Sequence, residues 1–150
     1  MGNAGGSITT GDNNVFISGG YNTTEGFGNV FVGNSSGALN TTAGDNTFIG
    51  VATGQSQTSG ASNTYLGAGT GSAVVSGDGV TLLGANAGVG VDGLNNATAI
   101  GTGAIVSQSN SLVLGNNANV GIGTATPAFK LDVDGDINIG VNTAIYQNGV

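Results

Sequence analysis

The chain contains no cysteine, no histidine and no tryptophan, one proline (Pro127) and one basic residue, Lys130. Each shortage removes a class of protein. Without cysteine there is no disulfide framework to read. Without cysteine or histidine a serine has no plausible base, and the lone lysine lies beside carboxylates, so nucleophilic catalysis has no support. A single proline excludes collagen, which needs glycine at every third position and abundant proline. One lysine against 8 acidic residues leaves a net charge of −7. Phosphate neutralisation needs clustered Lys or Arg, so no nucleic-acid partner is expected, and anionic membrane surfaces are disfavoured for the same reason. No apolar run reaches eighteen residues, so no membrane insertion is expected. The opening Met1-Gly2-Asn3-Ala4-Gly5-Gly6 has neither a basic nor an apolar region, so no signal peptide is expected.

Charge is scarce too. Charged residues make up 6% of the chain, against roughly a quarter in an ordinary soluble domain. Disorder needs low hydrophobicity with high charge, and here 38% of the residues are apolar. What the chain has in excess is glycine, 31 of 150 residues. The longest glycine-free windows are 104–114 and 124–134, the second interrupted by Pro127. Each interior glycine costs a helix about 1 kcal/mol, so a helical bundle is excluded.

A short phrase recurs: one residue, often Asn, then three mostly apolar residues, then Gly. It reads NVFIS at 14–18, NVFVG at 29–33, NTFIG at 46–50, NTYLG at 63–67, VTLLG at 80–84, ATAIG at 97–101 and SLVLG at 111–115. The start-to-start steps are 15, 17, 17, 17, 17 and 14 residues. A second glycine follows by four residues in Gly33/Gly37, Gly50/Gly54, Gly67/Gly71 and Gly84/Gly88. Two glycines per repeat predict two tight corners, joined by Ser, Thr, Asn, Asp and Ala, which suit turns. The period is too short for a helical repeat and predicts one coil of a parallel β-solenoid.

Aligning the coils gives columns. The residue before the glycine is Ile17, Val32, Ile49, Leu66, Leu83, Ile100 and Leu114. Its neighbour is Phe16, Phe31, Phe48, Tyr65, Leu82, Ala99 and Val113. Adjacent side chains leave a strand on opposite faces, so a strand apolar in both columns is expected to be covered on both sides. Further copies of the chain around an axis would supply the second cover. The aromatic column is expected to be the one packed against neighbouring chains, around an axis wide near the N-terminus and tighter where Leu82, Ala99 and Val113 follow.

After Gly115 the period stops. Asn119–Gly123 is a short alternating strand, Thr124–Pro127 a turn, and Lys130–Ile139 alternates again, with Asp134-Gly135 giving a hairpin signal. The expected organisation is a lead-in over 1–13, seven coils over 14–118 and a hairpin-containing β segment over 119–150, with a further strand from Asn142 to Val150.

The stretch NATAIGTGAIVSQSNSLVLGNNANVGIGTATPAFKLDVDGDINIG, at 96–140, resembles trimeric bacterial and phage fibres. Its ATAIG/SLVLG part, stepping 14 residues from 97 to 111, is similar to head repeats of trimeric autotransporter adhesins of the YadA type. Its NVGIGTATPAFKLDV part is similar to a segment of phage tail fibres and related injection-system fibres. The resemblance is looser over 14–94, where most coils have 17 residues. It implies a homotrimeric left-handed β-roll, outside a cell or on a virion or injection-system particle, that attaches to a cell-surface receptor or glycan. It implies no catalytic residue; no metal or cofactor is expected from the residues either. It also implies that these residues belong to a longer fibre subunit. The adhesin anchor, stalk and chaperone segments have no counterpart in these 150 residues, so phage and bacterial readings both stay open.

Other signals are weaker. Gly88-Val89-Gly90-Val91-Asp92-Gly93 matches a dinucleotide-binding glycine pattern, but that site needs a helix to follow, and none can. Asp12, Asp45, Asp78 and Asp92 recur near corners without the calcium-binding roll motif and suit turn capping. Asp132, Asp134 and Asp136 alternate and could hold a hard cation; a solvated face near Lys130 is the plainer reading. A glycosidase-like pair of Asp residues has nothing to single it out. Asn22, Asn34, Asn40 and Asn96 open N-x-Ser/Thr triplets, as expected in a chain this rich in Asn and Thr. Thr47, Thr64, Thr81 and Thr98 form a ladder that could order ice-like water, but the column continues as Val15, Val30 and Leu112 and shares a strand side with the aliphatic column read as core. The expected function is therefore a non-enzymatic structural and adhesive fibre segment, with a monomeric solenoid binder, such as an ice-binding protein, as the alternative from another class.

Overall fold

A computed structural model of the chain describes residues 5–138. They fall into two units, one ending at Asn116 and one beginning at Asn117. Among the described residues there is no helix. The first unit is a parallel β-solenoid. Its main sheet stacks seven three-residue strands: β1 (Val15–Ile17), β2 (Val30–Val32), β3 (Thr47–Ile49), β4 (Thr64–Leu66), β5 (Thr81–Leu83), β7 (Thr98–Ile100) and β9 (Leu112–Leu114). A second, two-stranded sheet pairs β6 (Gly88–Val89) with β8 (Ile105–Val106). Every pair is parallel, and the register matches the aligned phrases residue for residue: Phe16 faces Phe31, Phe48 faces Tyr65, and Ala99 faces Val113.

Strands this short exist because each is bounded by residues that only a corner tolerates. The seven strands mark about six turns of the solenoid, and the residue before each phrase is left-handed at every strand: Asn13, Gly28, Asp45, Ser62, Gly79, Asn96 and Asn110, with φ between 51° and 65°. Asn, Asp and Gly occupy this conformation most cheaply. The predicted glycine corners also appear. Gly37 and Gly54 sit at φ +57° and +56°, and a Cβ on either would lie 2.5 Å from the ring of Phe31 or Phe48. The glycine therefore provides both the turn and the floor on which the ring lies. Gly88 departs from the pattern: it has no positive φ and belongs to β6.

The core corrects the sequence reading. Phe31, Phe48, Tyr65, Leu82 and Ala99 are fully buried inside their own chain. Rings of Phe16, Phe31, Phe48 and Tyr65 stack at centroid separations of 5.1, 4.9 and 4.6 Å, with interplanar angles of 13° or less. The aromatic column was expected against neighbouring chains; it fills the chain's own interior, because a coil this small needs one large side chain to span it. Where the ring is replaced by Leu82 or Ala99, Val106 of the second sheet and Ala104, just before it, join the same cluster. The aliphatic column is the outward one.

Asparagine at the head of the phrase has a structural role. Asn14, Asn29, Asn46 and Asn63 accept, through Oδ1, the backbone N–H of Asn29, Asn46, Asn63 and Val80 at 2.8–3.1 Å. Their Nδ2 atoms donate to the carbonyls of Gly26, Ala43, Gly60 and Gly77. Each buried amide thus ties three points of the backbone together.

The second unit contains β10 (Val120–Ile122) and β11 (Leu131–Val133), and here the hairpin expectation fails. β11 pairs parallel with β10, Val120 opposite Leu131 and Ile122 opposite Val133. A two-residue hairpin of the Asp-Gly kind needs φ > 0 at both central residues. Asp134 has no positive φ, and Gly135 sits at +144°, outside that turn. Residues 136–138 form no strand; Ile139 and the expected strand from Asn142 to Val150 lie outside the described residues.

Candidate functional site

The outward face of the seven-stranded sheet is the most distinctive surface of the first unit. On each strand the first and third residues point out while the middle one points in. One outward column is Val15, Val30, Thr47, Thr64, Thr81, Thr98 and Leu112; the other is Ile17, Val32, Ile49, Leu66, Leu83, Ile100 and Leu114. Ile17 is 59% exposed, Leu66 49% and Ile49 38%, whereas Val32 and Leu83 are half-buried. At strand spacings near 4.8 Å the seven strands make this a strip about 30 Å long. Ordinary monomers rarely carry contiguous apolar patches beyond ~300–600 Å². The threonine ladder shares the strip, so its strand side is the solvent side rather than the core side expected from sequence.

Carboxylates at the corners hold neighbouring coils. Asp92 Oδ1 accepts the backbone N–H of Val75 at 2.9 Å and of Ser76 at 3.1 Å, and its Oδ2 accepts the Ser76 hydroxyl at 3.0 Å. Asp78 Oδ1 accepts the N–H of Ala61 at 2.8 Å. These bonds run to the preceding coil, not within the acid's own turn, so the capping is between repeats. Burial acts to raise the Asp92 carboxyl, and the hydrogen bonds from Ser76 and Val75 outweigh it, holding the group below the usual carboxylate value.

Among the described residues no three His, Cys, Asp or Glu side chains gather as a metal site would require. Asp132 lies in β11 and accepts the Ala128 N–H at 2.8 Å, while Asp134 and Asp136 lie beyond the strand and do not form a continuous face with it. Lys130 Nζ donates to the carbonyl and side-chain oxygens of Asn117, both at 2.7 Å. Gly88 and Val89, from the dinucleotide-like pattern, pair as a strand with Ile105 and Val106. The asparagine ladder and the left-handed corner column are features the sequence reading did not assign. Both were visible as recurring Asn and Asn/Asp/Gly at fixed places in the repeat.

The fold and its surface thus define a parallel β-solenoid repeat protein with an apolar, threonine-bearing outer sheet face. No protein family, curated protein or solved structure matches this chain.

Proposed function

We propose that this chain is a non-enzymatic structural and adhesive segment of a homotrimeric extracellular fibre, similar to a phage or injection-system tail fibre or an adhesin head, built as a left-handed roll. One observation carries the reading: one column of the outer sheet face, Ile17 to Leu114, is aliphatic at all seven strands while the core beneath is already filled by the aromatic column. A face of this kind is stabilised by cover. A second and third copy each bring the same strip in the same register, so the coils can associate around a common axis without new residues. Charge fits: with one basic residue and a net charge of −7, the surface has few ion pairs to offer another protein. Corners and loops away from the axis would meet a cell-surface receptor or glycan, and three copies would make weak single contacts multivalent.

Native mass tests this. Light scattering is expected to give about three times 14.3 kDa. Leu66→Asp combined with Ile100→Asp is expected to yield a monomer that keeps its β-sheet circular dichroism, because both side chains point outward. A wild-type monomer refutes the trimer.

A second reading has one observation in its favour. Thr47, Thr64, Thr81 and Thr98 stand in register on the outward face, where a monomer could order water against them. In that case light scattering gives a monomer and the chain produces thermal hysteresis in ice-growth assays, which Thr64→Tyr abolishes.

A further inference from the structure

The sequence holds three Asp-Gly pairs: Asp78-Gly79, Asp92-Gly93 and Asp134-Gly135. This dipeptide carries a reaction of its own. The glycine nitrogen can attack Cγ of the aspartate, because no side chain on the glycine stands in the way. All three aspartates are exposed, so access of water does not separate them. Hydrogen bonding does.

In the first pair, Asp78 Oδ1 accepts the Ala61 N–H at 2.8 Å, and the Gly79 nitrogen that would attack donates to the Ala61 carbonyl at 3.0 Å. The Asp78 backbone is pinned as well: its N–H donates to the Leu94 carbonyl, and its own carbonyl accepts the Asn96 N–H at 3.0 Å. In the second pair, the Asp92 carboxylate takes three bonds from Val75 and Ser76 and a further one from the Gly93 N–H. A peptide N–H lies in the plane of its own amide, whereas the nitrogen attacks with the electrons above that plane. An N–H aimed at a carboxylate oxygen is therefore turned the wrong way, and the preceding coil holds the carboxylate there. The third pair differs. Asp134 donates its N–H to the Ile122 carbonyl at 2.8 Å, but among the described residues nothing donates to its carboxylate and the Gly135 N–H meets no acceptor. A Cβ built on Gly135 would find nothing within 4 Å, whereas one on Gly79 would lie 3.0 Å from Asn96 Oδ1. Nothing in the described fold opposes rotation of the Asp134 side chain or of the peptide that follows it.

We propose that Asp134 is a self-modification site that converts to isoaspartate through a succinimide, while hydrogen bonds within the solenoid hold Asp78 and Asp92 unreactive. The Gly135 nitrogen bonds to Cγ of the protonated carboxyl; the amide proton and the carboxyl hydroxyl leave as water. Water then reopens the five-membered ring. When it breaks the bond from that nitrogen to the Asp134 backbone carbonyl carbon, the chain runs on through Cγ with one extra backbone carbon, and the former backbone carbonyl becomes the carboxylate. Mass and charge are unchanged, and water is the only co-reactant. The added carbon falls one residue past β11, so it lengthens the chain path leaving the small sheet without touching the pairing of Val120 with Leu131. The inference does not rest on the fibre reading.

The test incubates the full chain, folded, at neutral pH. The chain is then denatured and digested with a protease that cuts before aspartate but not before isoaspartate, and electron-transfer fragmentation locates the altered residue. Loss of cleavage before Asp134 is expected to grow with time at unchanged peptide mass, about tenfold or more faster than before Asp78 or Asp92. In urea throughout, the three sites are expected to converge, because the dipeptide is the same and the hydrogen bonds are gone. Gly135→Val crowds the attacking nitrogen and is expected to suppress the change at Asp134 in urea as well, where folding of the variant does not matter. Equal rates at the three sites in the folded chain, or the same disparity in urea as in the folded chain, overturns the inference. A Gly135→Val chain that loses cleavage before Asp134 as fast as the wild type overturns the succinimide route.

Discussion

Phe48 and Ile49 are neighbours on β3, and the structure assigns them opposite tasks. Phe48 is fully buried, with its ring 4.9 Å from that of Phe31 and 4.6 Å from that of Tyr65. Phe48→Ala removes a stacked ring from the middle of the column, and the flanking coils cannot close the gap without breaking their hydrogen-bonded register. Core Phe→Ala changes cost about 3–5 kcal/mol, and the lost stacking on both sides puts this one near the top of that range. With a urea m-value of about 2 kcal/mol/M, the midpoint is expected to fall by about 2 M at unchanged m. Ile49 is 38% exposed and points out. Ile49→Asp is expected to cost the isolated chain no more than about 1.5 kcal/mol of lost burial. In an assembled strip the same change inserts an unpaired carboxylate into an apolar contact, which is costly enough to prevent association. The two variants thus separate the readouts: the urea midpoint moves for Phe48→Ala, and the light-scattering mass for Ile49→Asp. Both are measured at one protein concentration, because assembly adds concentration-dependent stability. Equal loss of folding stability in both variants, or an unmoved midpoint in Phe48→Ala, would refute the assignment of faces.

Asn46→Ala is expected to destabilise the chain by about 2–3 kcal/mol in urea titration, since it orphans the buried N–H of Asn63 and the carbonyl of Gly60. Gly54→Ala, placing a Cβ 2.5 Å from the Phe48 ring at φ +56°, is expected to lower the thermal midpoint, whereas Ala52→Gly, which relieves a side chain held at the same φ, is expected to leave it unchanged or raise it. Because the folded Asp92 carboxyl titrates below its unfolded value of 3.8, its contribution is complete above about pH 4 and is lost as pH falls through the folded value. Asp92→Asn is therefore expected to flatten the acid limb of a stability–pH profile, by less than about 1 kcal/mol because the group is largely solvated. Far-UV circular dichroism is expected to show a β spectrum without helical minima.

The register of the solenoid was legible because the phrase repeats with its glycine, and a parallel stack places equivalent residues opposite one another. Phe31 opposite Phe48, and Ile49 opposite Leu66, follow from aligning the repeats alone. The hairpin was misread because Asp134-Gly135 is a local signal. Pairing in the second unit is set by a longer-range match, Val120 with Leu131, that no dipeptide encodes. The asparagine ladder was legible only as a recurring letter. That its amide bridges to the next coil depends on the coil spacing, which brings Asn46 Oδ1 to 2.9 Å from the Asn63 backbone nitrogen.

Glycine spacing, the absence of helix-length segments and the repeat step by themselves determined a stack of short parallel strands. Backbone freedom and hydrogen-bond register are local properties that recur with the sequence. Alternation determined that the Phe16–Val113 and Ile17–Leu114 columns lie on opposite faces, but not which faces inward, because both are apolar and period two is symmetric under that exchange. Only the tertiary structure decided it. The direction in which each coil closes at Gly37, Gly54 and Gly71 puts the rings inside, where their size fills the lumen, and leaves the aliphatic and threonine columns outside.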